Sequence, residues 1–149
     1  MKKLLFLFLA VLLTACSAVG QSDVERNQQK WQDANISHYR FQLNIGCFCA
    51  FRDQMPVTVE VQDGKVVSMT NVNGQVLSET DPTTEFILKY ATIDAIFAEL
   101  KTDEVKNADQ VTVTYDATYG FPVDVSIDFS QNMADEELYL NISAFEALP

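Results

Sequence analysis

Strict alternation of apolar and polar residues constrains the fold of this 149-residue chain more than any other feature. Odd positions from Tyr39 to Cys49 are all apolar, and Arg40, Gln42 and Asn44 lie between the first of them. Because successive side chains of a β-strand point to opposite faces, such a segment buries one face and exposes the other. The pattern predicts a strand in a sheet with one wet face, which is typical of antiparallel sheets.

The same period of two recurs in further segments. Residues 57–62 and 65–70 flank the turn sequence Asp63-Gly64, which predicts a β-hairpin. Three later strands are predicted from alternating apolar residues, which are Val111, Val113 and Tyr115, then Val123, Val125, Ile127 and Phe129, then Leu138, Leu140 and Ile142. Short connections between consecutive strands favour antiparallel pairing.

Helical patterns precede each group of strands. Residues 24–34 form a Gln-rich segment with Trp31 that indicates a modest helix. Thr92 is placed to cap another helix, whose apolar residues recur at helical spacing, at Ile93, Ile96, Phe97 and Leu100. Residues 86–91 are either a lead-in turn or an earlier part of that helix. Helices segregated from antiparallel strands predict an α+β domain, with an antiparallel sheet packed against helices.

The two halves of the chain resemble each other. Residues 56–61 parallel residues 122–127, since each segment begins with a proline and continues with alternating β-branched residues. This similarity favours a duplicated helix-strand-strand-strand unit. Chance matching of alternating valines produces the same pattern, so both interpretations stay open.

The N-terminal residues resemble a bacterial lipoprotein signal peptide. A positively charged start precedes an apolar run over residues 4–12, and Leu13-Thr14-Ala15-Cys16 then resembles the lipobox. The apolar run is too short for a permanent membrane span. The resemblance implies that residues 1–15 are removed, that the sulfur of Cys16 is lipidated and that its new amine is acylated. An ordinary secretory signal with a chance cysteine is the alternative.

The implied lipid anchor sets the expected location. Several acyl chains on one cysteine are enough for stable membrane attachment. Ser17 is not the aspartate that usually retains a lipoprotein in the inner membrane, so the resemblance favours the periplasmic face of the outer membrane. Residues 16–23 are then a lipidated tether, and residues 24–149 a single α+β domain.

Charge excludes some partners. The chain has a net charge of −11, and removal of Lys2 and Lys3 with the signal leaves the mature protein near −13. Nucleic acids and anionic lipid surfaces both require clustered Lys and Arg, so neither is an expected partner. We expect contact with the membrane through the lipid anchor only, and a protein partner in the envelope.

Cys47 and Cys49 are the two cysteines left once Cys16 carries lipid. Residues two apart in an extended strand have Cα atoms about 6.5 Å apart, at the upper edge of disulfide geometry, and Gly46 makes a local bulge plausible. A structural disulfide is favoured in an oxidising compartment. The alternatives are two buried thiols, or a functional dithiol that is either redox-active or binds copper(I) with help from His38, Met55 or Met69.

Acidic residues on the predicted wet face are weaker candidates. The carboxylates of Asp116, Asp124, Asp128 and Asp135 are hard oxygen ligands of the kind that Ca²⁺ prefers. No Asp-x-Asp-x-Asp-Gly loop is present, so a solvated face is the better interpretation. We therefore predict no metal site and no cofactor.

The segment between the fourth and fifth predicted strands is a candidate contact site. Asp116, Tyr119 and Phe121 lie in a turn around Gly120, and Asp116 is placed to bond its own backbone. The two rings either pack over the sheet edge or contact a partner, and we predict Asp116, Tyr119 and Phe121 as partner-binding residues.

Three segments of the second half carry a family resemblance, namely residues 90–97, 111–122 and 134–138. They are similar to the bacterial family called domain of unknown function six-one-seven-four, in which many members resemble lipoproteins. Trp31, Tyr39-Arg40-Phe41 and Cys47-Phe48-Cys49 fit its first half. The outline also resembles beta-lactamase-inhibitor-protein and PepSY-like modules, at the level of fold alone. Neither resemblance implies a catalytic residue.

These observations predict a non-enzymatic, lipid-anchored envelope protein that binds a partner. The chain has one histidine, which leaves no Ser-His-Asp set to build, and it lacks Walker, zincin and GxSxG motifs. The alternative function is a periplasmic dithiol redox or copper-handling protein that uses Cys47 and Cys49.

Overall fold

The computed structural model describes residues 22–78 and 80–149. The helices are α1 (Asp23–Asp33), α2 (Pro82–Leu88), α3 (Ile93–Glu99) and α4 (Asp103–Lys106), and Arg52–Gln54 form a 3₁₀ turn. The strands are β1 (His38–Gly46), β2 (Val57–Gln62), β3 (Lys65–Thr70), β4 (Gln110–Tyr115), β5 (Pro122–Asp128) and β6 (Leu138–Ala147). The predicted signal peptide and lipidation site, Cys16, lie outside the described residues.

All six strands form one antiparallel sheet in the order β3-β2-β1-β6-β5-β4. The predicted α+β class is therefore confirmed. Along the chain, α1 and three strands are followed by three helices and three strands, so the second half has two more helices than the helix-strand-strand-strand unit considered from the sequence. Because β1 and β6 pair in the centre, the two halves share one continuous sheet and one core.

The sheet has one buried face and one solvent-exposed face, as the alternation predicts. The odd-numbered residues of β1 and β2 are buried, and residues of β5 and β6 contribute to the same face. The buried residues of these four strands are Tyr39, Phe41, Leu43, Ile45, Val57, Val59, Val61, Val125, Ile127, Leu138, Leu140 and Ile142. Helices α1 and α3 add Trp31, Ile93, Ile96 and Phe97 to this core. Polar residues such as Arg40 and Ser126 occupy the opposite, exposed face.

Side chains at the helix starts explain where the helices begin. Ser22 and Glu25 form a capping box at α1, so the helix begins at Asp23, one residue before the predicted bound. Asp81 accepts a hydrogen bond from the Thr83 amide and starts α2. The Thr92 hydroxyl accepts a bond of 3.0 Å from the Ala95 amide and starts α3, as predicted.

Helix α2 ends at Leu88, so residues 86–91 include the end of a separate helix and are not part of α3. Two strand predictions also need correction. Strand β1 ends at Gly46, which leaves Cys47 and Cys49 beyond it. Strand β4 lies at the sheet edge, where Val111 is 39% exposed although the alternation predicts that it lies on the buried face. The longest helix in the described ranges has 11 residues, and no helix there is long and apolar enough to cross a membrane.

Candidate functional site

The segment that follows β1 presents an aromatic ring to solvent. The sulfur atoms of Cys47 and Cys49 lie at disulfide distance, and their Cα atoms are 5.2 Å apart. This separation is shorter than the value of about 6.5 Å in an extended strand, so the chain bends here. Phe48 lies between the two cysteines, and its ring is 77% exposed. We call residues 47–49 the Phe48 tip.

A cavity of about 400 Å³ opens beside the Phe48 tip. Its walls combine aromatic and acidic side chains, which are Phe86, Tyr90 and Phe129 together with Glu99, Glu104, Asp135, Glu136 and Glu137. Lys89 also borders the cavity. We call this cavity the acidic groove. It lies where three parts of the chain meet, because α2 to α4, the tip and the segment before β6 each contribute a wall.

Local structure positions the acids of the groove. Glu99 is the last residue of α3, and Glu104 lies in the first turn of α4. A carboxylate at this end of a helix interacts favourably with the positive end of the helix dipole. Asp135 has a positive φ of 71° in the segment that leads to β6. The backbone amide of Ser130 donates a hydrogen bond to Glu136, which holds that segment in place.

Tyr90 lies at the base of the groove and is 5% exposed. Burial, followed by the negative charges of Glu99 and Glu104, raises the pKa of Tyr90 to about 12. The phenol therefore stays neutral near neutral pH, and the groove contains carboxylates as its anions. Every ion pair found among the described residues joins other side chains, so none of these carboxylates forms an ion pair there, and Lys89 is the basic residue at the border of the groove.

Lys89 shows how the aromatic wall accommodates a cation. Its ammonium group lies 5.5 Å from the centroid of the Phe86 ring. A cation over a ring face is stabilised by the negative potential of that face. The Phe86 ring in turn contacts Tyr90 edge-on, with centroids 5.6 Å apart.

The predicted partner-binding turn is packed against the core. Phe121 is 4% exposed, and its ring stacks on Phe145 with centroids 4.5 Å apart. Phe121 also meets Trp31 of α1 edge-on at 6.2 Å. The expectation that Phe121 contacts a partner is therefore corrected, because its ring is enclosed. Tyr119 is half-buried and contacts Phe145 at 5.8 Å.

Backbone contacts fix the same turn. The Asp116 carboxylate accepts hydrogen bonds from the amides of Thr118 and Tyr119, at 2.9 and 2.5 Å, which is the self-bonding turn that the sequence predicts. Gly120 has a φ of 80°, and a Cβ atom there would lie 2.7 Å from the carbonyl oxygen of Asn27. The turn thus packs directly on α1, and Asp116 has a structural role in it.

Two of the residues considered as copper ligands, His38 and Met69, are held by other contacts. His38 starts β1, at the opposite end of the strand from Cys47, and its ring bonds Glu60 and the Pro149 carbonyl at 3.0 Å each. Met69 is 4% exposed in the core. Met55 is half-buried and packs against the core. In residues 22–78 and 80–149, no group of three or more His, Cys, Asp and Glu side chains is arranged to hold a metal ion.

The acids considered for Ca²⁺ are also separated. Asp124 on the wet face accepts hydrogen bonds from Thr114, Tyr139 and Asn141, at 3.1, 2.8 and 2.8 Å. The bond from Asn141, followed by that from Tyr139, lowers the pKa of the Asp124 carboxyl. Asp135 lies in the acidic groove, at a different place from Asp124.

No local sequence pattern predicts the acidic groove. Its acids come from three distant segments, and each segment alone is an ordinary solvated stretch. The run Asp135-Glu136-Glu137 is the one local signal, and it carries part of the family resemblance, while Asp135 is also one of the weak Ca²⁺ candidates.

Comparison with known proteins gives a family and no described function. No curated protein and no solved structure matches the chain. The profile described as "Family of unknown function (DUF6174)" matches residues 23–147, from the first residue of α1 to the last residue of β6. This match confirms the resemblance that the sequence motifs carry, and the chain belongs to the DUF6174 family.

Proposed function

We propose that this chain is a lipid-anchored binding module of the cell envelope, that it performs no chemistry of its own, and that it holds a protein partner at the Phe48 tip. One observation carries the proposal, which is that the ring of Phe48 is 77% exposed between two cysteines at disulfide distance. An exposed ring costs solvation free energy, and a ring held on a short constrained segment loses little entropy when it binds. Aromatic anchors of this kind dominate protein interfaces.

The neighbourhood of the tip supports the same assignment. The acidic groove lies directly beside Phe48, and its wall combines aromatic rings with carboxylate side chains. A protein interface typically combines an apolar centre with a polar rim, and the tip and groove together have this composition.

The lipid anchor is proposed from the lipobox at Leu13 to Cys16. Attachment through Cys16 to the periplasmic face of the outer membrane leaves the domain in an oxidising compartment, which suits a disulfide at the tip. Cys16→Ala is expected to abolish labelling by radioactive palmitate and to leave unprocessed precursor. Normal processing and membrane retention of this variant would contradict the anchor.

A matched pair of variants tests the tip. Phe48→Ser removes the exposed ring, and Val76→Ser removes a side chain that is 78% exposed at a different place. After chemical crosslinking in cells, we expect Phe48→Ser to lose the protein partner that copurifies with the wild type, and Val76→Ser to keep it. The proposal fails if both variants retain the partner equally while both remain folded.

A thiol titration separates this proposal from a dithiol redox or copper-handling function. Mature protein prepared without reductant is expected to contain no titratable thiol, because Cys47 and Cys49 are bridged and Cys16 is lipidated. Two titratable thiols together with bound copper in a metal analysis would favour the other function.

A further inference from the structure

We infer that the acidic groove receives a Lys or Arg side chain from the protein segment that contacts the Phe48 tip. This inference rests on the proposed function and specifies the chemistry of the partner. It predicts a partner segment in which a basic residue lies next to an apolar one, so that the basic side chain enters the groove while its neighbour packs on Phe48.

The shape of the groove fits a long side chain. Its volume of about 400 Å³ lies at the lower end of the range of ligand cavities, about 300 to 1,000 Å³. Phe86 and Phe129 are half-buried in its wall and Tyr90 is buried at its base. Lys and Arg side chains bury their methylene groups against such apolar surface while the charged end seeks anions.

The charge of the groove is complementary to that side chain. Glu99 and Glu104 line one side, and Asp135 and Glu137 line the side formed by the segment before β6. In the described part of the chain these carboxylates form no ion pair. Among the residues that the structure describes, five carboxylates and a single ammonium group, that of Lys89, border the groove, so negative charge is in excess there. An incoming ammonium or guanidinium group is attracted by this excess.

The spread of the acids favours an organic cation over a metal ion. A divalent metal needs several oxygen ligands that converge within about 2.6 Å of one point. No group of three or more acidic, His or Cys side chains in the described ranges is arranged in that way. An ammonium or guanidinium group on a flexible stem makes longer contacts, and it also interacts with ring faces.

A lysine of the chain itself already lies against the aromatic wall of the groove. The Lys89 ammonium lies over the Phe86 ring, 5.5 Å from its centroid, at the border of the groove. The aromatic wall therefore accepts a positive charge on its face in the free protein. A basic side chain from the partner would find the same kind of surface at Phe129, which is half-buried in the wall.

Calorimetric titration of the full lipidated chain in detergent tests the inference. The probes are the capped pentapeptide Gly-Leu-Lys-Leu-Gly and its counterpart with norleucine in place of Lys. We expect the Lys peptide to bind about tenfold more tightly than the norleucine peptide. Equal binding of the two peptides, or no binding of either, would overturn the inference.

A charge-matched pair of variants separates the groove from general attraction to an acidic protein. Glu104→Gln with Glu137→Gln removes two charges from the groove, and Asp63→Asn with Asp94→Asn removes two charges beside the β2–β3 turn. The groove variant is expected to bind the Lys peptide about fivefold more weakly, and the other variant within about twofold of the wild type. Equal weakening in both variants would overturn the inference.

Three further outcomes show which of the two proposals fails. If capped lysine alone binds as tightly as the Lys peptide, the groove is a small-amine site and the partner segment is wrong. If the two peptides bind equally while Phe48→Ser still loses its partner in cells, the inference fails and the proposed function stands. If Phe48→Ser keeps its partner, the proposed function fails whatever the peptides do.

Discussion

The backbone amide of Ile93 donates a hydrogen bond of 3.2 Å to the hydroxyl oxygen of Tyr39. Ile93 is the first residue of α3, where the amide groups have no partner within the helix, and Tyr39 lies on the central strand β1. Burial raises the pKa of Tyr39 to about 12, so the phenol stays neutral. This bond fixes the start of α3 over the centre of the sheet.

Tyr39→Phe is expected to destabilise the fold by about 1 to 3 kcal/mol, because it leaves the buried amide of Ile93 without an acceptor. Urea unfolding followed by circular dichroism measures this loss. Tyr139→Phe is the control, since the Tyr139 hydroxyl is on the exposed face and Asp124 keeps two other donors. Equal effects of the two substitutions would contradict the assigned role of Tyr39.

The faces of the sheet predict the effect of a new charge. Val59 is fully buried, whereas its neighbour Thr58 is half-buried on the opposite face. Val59→Asp buries an unpaired carboxylate, a change that costs several kcal/mol, and we expect it to unfold the domain. Thr58→Asp should leave the melting temperature within a few degrees. The same contrast is expected between Val125→Asp and Ser126→Asp, and equal losses within a pair would contradict the register.

Strand patterns made most of the sheet predictable from the sequence. Alternation identified β1, β2 and β5, and Asp63-Gly64 identified the hairpin that joins β2 to β3. The end of β1 was misjudged because Cys47 and Cys49 continue the apolar alternation, whereas the bend that brings their Cα atoms to 5.2 Å stops the strand. The exposure of Val111 depends on β4 being at the edge, which is a property of strand order.

The candidate site was harder to predict, because it too depends on how distant segments pack together. Phe121 resembles an exposed turn residue in the sequence, and it is buried because Phe145 of β6 and Trp31 of α1 pack on it. Glu99 and Asp135 are far apart in the sequence and line one groove only after the two segments fold together. Local patterns report the periodicity of one segment, and contacts between distant segments leave no such pattern.

The burial of the 116–121 turn has a measurable consequence. Phe121→Ala removes a ring that packs on Phe145 and Trp31, and we expect a loss of about 3 to 5 kcal/mol in the free energy of unfolding. Tyr119→Ala should cost less, because Tyr119 is half-buried. Urea unfolding of both variants checks this order. A stable Phe121→Ala protein would restore the turn as a contact surface.

His38 predicts a pH dependence. The hydrogen bond to the Pro149 carbonyl, followed by the bond to Glu60, raises the pKa of the imidazole above its ordinary value of 6.5. Because the pKa of His38 is higher in the folded state, the protonated imidazole contributes to the free energy of unfolding. This contribution is fully present below pH 6.5 and is lost as the pH rises through the raised pKa.

Melting curves of the wild type and His38→Gln should therefore differ most near about pH 6 and converge toward about pH 9. A control at Glu60→Gln should reduce the same difference, because it removes the negative charge that favours the protonated imidazole. A difference that grows as the pH rises would contradict the assigned direction of the shift.

Site-specific photocrosslinking at position 48 tests the central claim most directly. A photoreactive amino acid replaces Phe48 in the full chain in living cells, and the same group at the equally exposed position of Val76 is the control. We expect one discrete protein adduct from position 48, identified by mass spectrometry, and none from position 76. No adduct at position 48, or the same adducts at both positions, would contradict a binding function for the Phe48 tip.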